Sequence, residues 1–502
     1  MKYLCVPSEV SLADLKTKTS SWSAGMYRRV EIPTLHTRAI RELITGYDRG
    51  SDPGSMYYLE KSTHYLIRTK ALQAHSYLIY PKGGAITAIN PRAFEDMALT
   101  DGDILLSKDS NVGECAMVDG ERWRNHTLSG GIVRLRSSIN RHYLFAFLKH
   151  ELFKTELLSM VPRGATIAHA NDLWLDCRIP FPAQRDAADV IAYVAALTEA
   201  IVEKERAIYS RNEEIHEKID VELASNQADT FRYEQPTRDE VARLGRFDAA
   251  IYGYEYKSKI ARILNYRHGY QTPSAAGFTI TPGPSLEIKL LQTRIDSETP
   301  KPGFYELLIP ANISEYGTMD AVTWLGTARK LPLLRAGDIL FGEAGFHKGR
   351  SIVLIDEPDR ATTNAHGLYA RRRDGDLAQS IFFRCVFNWY RRQRLIDLMA
   401  VGGSGGHFSP DYFDFVLIPK FPEPLRRQVS YLYHNQTPPP ARTATLTDFV
   451  AWHKEWNEGL GIWELDQELK ALQRTLSEVQ GQIIEGNPVE LPFEPKMPGA
   501  RN

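Results

Sequence analysis

The residue groupings that most often carry chemistry are nearly all missing from this chain. A phosphate-cradling P-loop ends in Gly-Lys-Ser/Thr, and the sequence contains no Gly-Lys pair. An amino-methyltransferase needs Asn-Pro-Pro-aromatic; the nearest string is Asn90-Pro91-Arg92-Ala93. Glu255-Tyr256-Lys257, which follows Asp248, resembles a nuclease carboxylate pair, but Glu287-Ile288-Lys289 repeats E-x-K, and neither has a convincing acidic partner. Gly402-Gly403-Ser404-Gly405-Gly406 matches G-x-S-x-G, yet a strand follows it where a nucleophile elbow needs a helix. Cys5, Cys115, Cys177 and Cys385 are scattered, with no CxxC. That pattern predicts a reducing, cytoplasmic setting, no disulfide framework and no zinc. The chemistry left to such a chain is recognition, with no catalytic residue, metal or cofactor.

Two polar loops offer that recognition. Residues 107–113 follow Gly102-Asp103-Ile104-Leu105, and residues 342–349 follow Gly337-Asp338-Ile339-Leu340. Lys, Arg, Asn, Ser, His and Glu are the side chains that read base edges and grip phosphates. The candidates are Lys108, Ser110 and Asn111 in the first loop, and Glu343, His347, Lys348 and Arg350 at the second. Glycine turns add Arg163, Thr166 and His169 in the first half, and Ser404 and His407 in the second. Backbone N–H groups in such turns can approach a phosphate closely. Arg371, Arg372 and Arg373, with Arg391 and Arg392, are candidate phosphate grips. All of these also fit the bland reading of solvated turns, and the arginines that of faces meeting a protein partner.

The elements around the loops recur in one order. Trp22-Ser23-Ala24-Gly25-Met26-Tyr27 opens the first half and Phe247-Asp248-Ala249-Ala250-Ile251-Tyr252 the second. A strand-like run follows each loop, at residues 115–118 and 351–355. Gly131-Ile132-Val133 matches Gly367-Leu368-Tyr369. Aromatic helices at 142–158 and 380–399 come next, then the glycine turns, then exits at 175–182 and 415–422 that end in Ile-Pro-x-Pro-like strings. A glutamine, Gln184 or Gln428, opens the helix after each exit. One shared Gly-Asp turn is weak evidence, but a whole order of matches predicts a duplication.

Each half leads into a rod. Over 183–223, Val190, Val194, Leu197 and Ile201 begin an apolar stripe that continues through Ile208, Ile215 and Ile219, with no Gly or Pro inside. Leu465, Leu469, Leu472 and Leu476 begin a second stripe at coiled-coil spacing, which Val479 and Ile483 extend. The predicted fold is α+β: two similar α/β domains joined by two long antiparallel, coiled-coil helices in a pseudo-twofold repeat. The expected segments are 1–182, the first domain; 183–225, the first rod; 226–422, the second domain; 423–486, the second rod; and 487–502, a loose tail. Pro438-Pro439-Pro440 and Gly459-Leu460-Gly461 interrupt the second rod.

Charge is unevenly spread. The chain of 502 residues has a net charge of −1. Residues 183–223 hold ten acidic and five basic residues, and residues 463–485 five and two. Residues 134–163 carry six basic against two acidic residues, and 366–400 seven arginines against three aspartates. Acidic rods and basic globules fit DNA held by the globules. No apolar run is long enough to span a bilayer, and the start has no signal-peptide core.

This order resembles that of the specificity (S) subunit of type I restriction–modification enzymes. The shared order is a Gly-Asp-Ile-Leu strand, a polar loop, an aromatic helix, a glycine turn, an Ile-Pro exit and a glutamine-led long helix. The resemblance covers about 21–484 and implies two target-recognition domains, each reading one half of a split double-stranded DNA site. It implies two helices as a ruler, half-sites about a DNA turn or ~34–36 Å apart, and no catalysis. The implied partners are two methyltransferase subunits and translocating nuclease subunits, with no membrane. The alternatives are the specificity subunit of a bipartite type II system and a structural adaptor of another anti-phage complex. The broken second rod departs from the family pattern and bears on the regularity of the coiled coil.

Overall fold

The computed structural model of the chain describes residues 3–17, 27–81, 83–161, 169–402 and 406–493. It divides into two compact units. One gathers Met1–Arg206, Pro438–Glu458 and Gln467–Asn502; the other, Ala207–Thr437 and Gly459–Asp466. The division falls inside the first rod, not at its ends.

Each unit is built on the same four-stranded antiparallel sheet. In the first, the order is Ile44–Arg49, Ile132–Ser137, Ile104–Ser107, Cys115–Met117. In the second it is Phe278–Pro282, Gly367–Arg372, Ile339–Gly342, Ser351–Val353. The registers coincide as well. Ile104 lies opposite Leu135 and Ile339 opposite Ala370; Val133 faces Arg49 and Leu368 faces Pro282. The register places Ile132, and not Gly131, where the second unit has Gly367, so the sequence matching of those two glycines is one residue out. A smaller sheet also recurs. His64–Ile67 pairs antiparallel with Ile86–Ile89 and parallel with His126–Leu128. Tyr305–Leu307 does the same with Thr323–Gly326 and Ala361–Thr362, and Ile295–Ser297 adds an edge.

The Gly-Asp turn explains why the central strand starts where it does. Gly102 and Gly337 both sit at φ +83°, a left-handed conformation that a side chain resists. The aspartate carboxylate that follows accepts the N–H of a residue three positions back: Thr100 to Asp103, Arg335 to Asp338, at 2.9 and 2.8 Å. An arginine from the neighbouring strand closes over it, Arg134 at 3.3 Å in the first unit and Arg371 at 2.6 Å in the second. Strands Ile104–Ser107 and Ile339–Gly342 are then buried on both faces.

Against each sheet lies an aromatic helix with a side-chain cap. Asn140 accepts from His142 and Tyr143 N–H ahead of Arg141–Lys149, and Asp376 from Gln379 N–H ahead of Leu377–Arg392. In the second unit Phe387 packs on Phe341 at 4.5 Å and stacks on Phe413 at 5.5 Å, with all three rings buried. The exits pair in both units, Thr37–Ala39 with Arg178–Pro180 and Tyr270–Gln271 with Ile418–Pro419.

The first rod is one helix, Ala187–Ser225, of 39 residues, about 58 Å long at the usual rise. The second is three helices, Glu423–Tyr433, Phe449–Asn457 and Ile462–Glu485, with the prolines and glycines in the gaps. Val190, Val194, Leu197, Ile201 and Leu465 are fully buried, and Leu469, Leu472 and Leu476 nearly so. Two ties set the rods antiparallel in the first unit. At the head of the first rod, the Gln184 amide exchanges hydrogen bonds with the backbone of Val489, just beyond the second rod's end. Further along, Lys204 is buried within electrostatic reach of Glu468, near the second rod's start. Gln428 makes no comparable tie; it is exposed on Glu423–Tyr433.

Polar side chains clamp the long helix to its surroundings. In the first unit Glu205 accepts from the Ser76 hydroxyl and, at 2.7 Å, from Tyr77 N–H, and Arg206 pairs with Asp101 at 2.7 Å. In the second unit Asn388 donates to Asn212 at 3.0 Å, and Trp389 Nε1 to Asp220 at 2.9 Å.

Two expectations follow. Asp338 is 1% exposed, while the Asp103 side chain is 20% exposed. Asp338→Ala is expected to cost about 2–4 kcal/mol and Asp103→Ala less, read as denaturant midpoints. In the first unit, burial holds His142 down to about 4 and His453 to about 3. The unfolded chain charges these rings near pH 6.5, so stability is full above that pH and falls as pH drops towards 4. Thermal midpoints against pH test this, and His453→Gln should flatten the decline.

Candidate nucleic-acid interface

The two polar loops are held by the same backbone hydrogen bonds. Ser107 N–H donates to Glu114 O and Gly113 N–H back to Ser107 O; Gly342 and Arg350, then Gly349 and Gly342, repeat both bonds. Lys108 N–H donates to Gly131 O, as Glu343 N–H does to His366 O. Each loop is also stitched to the residues just after the glycine turn. Ala170 N–H donates to Lys108 O, and Phe408 N–H to Glu343 O. Asp109 bridges His169, and Ala344 bridges His407. Two segments far apart in sequence thus make one surface in each unit, and His169 and His407 occupy equivalent, exposed positions on it.

The side chains on this surface differ in how free they are. Ser110 is exposed at φ +61°, at the loop's outer bend. The His169 imidazole meets Asp109 at 2.8 Å while remaining 54% exposed, and Lys108 pairs with the same aspartate from a largely covered position. Glu343 and His347 are half-buried. Lys348 is mostly covered, with an ion pair to Asp397 at 3.0 Å. Arg163, Thr166 and Ser404 lie outside the described residues.

Several candidates also have partners within the chain. The Asn111 amide donates to Leu72 O at 3.0 Å, which ties the loop down. Arg350 is 5% exposed; it donates to Ile313 O and pairs with Glu315 at 2.6 Å. Arg391 pairs with that same Glu315. Two arginines hold the Glu315 carboxyl below its ordinary value although burial pushes it up. Arg392 pairs with Glu213 of the long helix at 2.6 Å. Arg371 closes over Asp338, and Arg372 grips Asp374 at 2.5 Å, which drives that carboxyl down to about 2. Arg373 is exposed and, among the described residues, has no carboxylate partner. The sequence shows seven arginines in one stretch; it does not show that acids elsewhere in the chain already neutralise three of them.

Among the described residues, no group of His, Cys, Asp and Glu is arranged to hold a metal ion, and no helix is long and apolar enough to cross a membrane. The second unit also has a groove of ≈ 800 Å³ between residues 229–244 and the helix Tyr254–Leu264, lined by Phe231, Leu244, Ile260 and Leu264 among balanced charges, with Lys257 already paired to Glu240. Glu255 pairs with Lys259 rather than with an acidic partner.

Arg350→Ala should therefore lower stability. Removing it leaves the half-buried Glu315 with one guanidinium, at an expected cost of about 1–3 kcal/mol. Denaturant unfolding measures that loss.

Neither a protein-family model nor a curated protein matches the chain. Among solved structures, it is similar to a type I restriction–modification system S subunit from M. genitalium, at 13% identity over 91% of this chain and 96% of that one, with a TM-score of 0.32. It is similar to a chain from work on complex assembly and conformational transition of the type I R-M system, at 13% identity, 91% and 100% coverage and a TM-score of 0.27. A third likeness is to the HsdS subunit from Thermoanaerobacter tengcongensis, at 13% identity, 90% and 97% coverage and a TM-score of 0.27.

Proposed function

We propose that this chain is the non-catalytic DNA-specificity subunit of a type I restriction–modification complex. The observation that carries the reading is the duplicated surface: in each unit a polar loop and a turn residue are joined by equivalent backbone bonds. Two like surfaces with unlike side chains suit a split site whose halves differ in sequence. Within this reading residues 1–182 and 226–422 each read one half-site, and 183–225 and 423–486 form the rods. Ser110 and His169 on one side, and Glu343, His347 and His407 on the other, face the bases. Arg163, Thr166 and Ser404 join them as DNA contacts. Two methyltransferase subunits and the translocating nuclease subunits supply the catalysis and work in the cytoplasm.

The second reading, a structural adaptor for another protein complex, draws on the arginines: Arg350, Arg371, Arg372, Arg391 and Arg392 are all engaged in ion pairs within the chain.

Genome-wide methylation mapping separates the two. Cells with the chain and its partner subunits should show one bipartite methylated motif that vanishes when the chain is deleted; an unchanged methylome rejects the reading. Replacing Ser110 and His169 together by Ala should relax one half of that motif and leave the other half intact. Each lost base contact is worth about 1–3 kcal/mol of discrimination.

A further inference from the structure

The two sheets match in register but not in what covers the Gly-Asp turn. In the first unit the turn is closed. The Arg141 guanidinium crowds the place a Cβ on Gly102 would take and donates to Asp101 O. Asp101 itself receives Arg206. On the adjoining sheet face Asp48 is locked between Arg134 and Arg136 at 2.5 and 2.7 Å.

The second unit leaves the equivalent turn open. Nothing lies within 4 Å of the place a Cβ on Gly337 would take. A groove of ≈ 540 Å³ occupies the space, walled by Thr279, Thr281, Arg335, Arg371, Arg372 and Arg373. Thr279 pairs across the sheet with Arg371, and Thr281 with Tyr369. Their counterparts in the first unit are Gly46 opposite Arg136 and Asp48 opposite Arg134. Asp338 and Asp374 also line the groove, but Arg371 and Arg372 already neutralise them. Arg335 and Arg373 remain; both are exposed, and among the described residues neither has a carboxylate partner. The nearby Glu357 is turned to the backbone, accepting from Ala336 N–H at 2.8 Å.

We infer that this groove binds the sugar–phosphate backbone of duplex DNA, a grip that the closed Gly102 turn of the first unit does not offer. Arg335 and Arg373 supply the charge, Thr279 and Thr281 supply hydroxyl donors, and bare Gly337 lets a phosphate oxygen come close. Arginine guanidinium, threonine hydroxyl and open backbone are the groups that take phosphates. A protein partner is disfavoured by the lining, because it presents no exposed aromatic or aliphatic anchor of the kind that centres a protein interface. The groove opens at the start of the strand Ile339–Gly342, and the base-reading loop leaves from its end. It therefore adds contacts that hold the duplex without reading it. This inference rests on the DNA-reading function proposed above.

The test uses the assembled complex with its partner subunits and measures retention of a duplex carrying the mapped motif against salt. Arg335→Glu and Arg373→Glu are each expected to weaken retention on the order of tenfold at low salt and to reduce the log–log salt slope by about 0.9, with the methylated motif unchanged. Thr100→Glu, at the equivalent exposed place in the first unit, is expected to change neither. An unaltered slope in both arginine variants overturns the groove. So does intact DNA retention with loss of a partner subunit, which would mark an acidic protein face instead. If the wild-type complex retains no DNA at any salt, the function proposed above fails first, and that result is distinct from an unaltered slope.

Discussion

The aspartate of the Gly-Asp turn is the interaction on which each unit depends. Its carboxylate joins three things at once: the turn's own backbone, the start of the most buried strand and an arginine from the strand beside it. A buried carboxylate is tolerable only with such partners. Once the turn is closed, the strand is fixed in the sheet, and its far end is fixed too. The polar loop must then leave the sheet at one place and in one direction. Residues 169–170 and 407–408 are bound to that loop by main-chain bonds, so the surface follows from the Gly-Asp turn.

Much of the fold could be read before any coordinates. Gly102-Asp103 and Gly337-Asp338 announced a pair of equivalent strands because few residues other than glycine accept the left-handed conformation. The apolar spacing from Val190 to Ile201 and from Leu465 to Leu476 marked two helices with one buried stripe each, and the prolines at 438–440 marked where the second is broken. Local rules suffice for such features, since periodicity and breakers act within a few residues.

The surface was harder to read, for a different physical reason. Ion pairs join residues distant in sequence, and nothing about Arg350 or Arg391 says that Glu315 is waiting for both. Asn111 reads as a polar loop residue, yet its partner is a carbonyl of Leu72. Gln184 and Gln428 look alike in sequence; one ties the rod to Val489 and the other points away from any such tie. The meeting of the Asp109 loop with His169 depends on a sheet, a helix and a turn all being in place. Charge counts along the chain describe supply, whereas the charge left at the surface depends on pairings that only the folded chain reveals.

Because backbone atoms hold the two loops in position, amino-acid replacement at their outward positions leaves that framework standing. No substitution short of proline removes a peptide N–H, and none removes a carbonyl. His169 and His407 can therefore drift independently while the frame beneath them persists. Such an architecture keeps heritable variation at the exposed surface apart from heritable variation in folding, and two copies of it can diverge without either ceasing to be a stable platform.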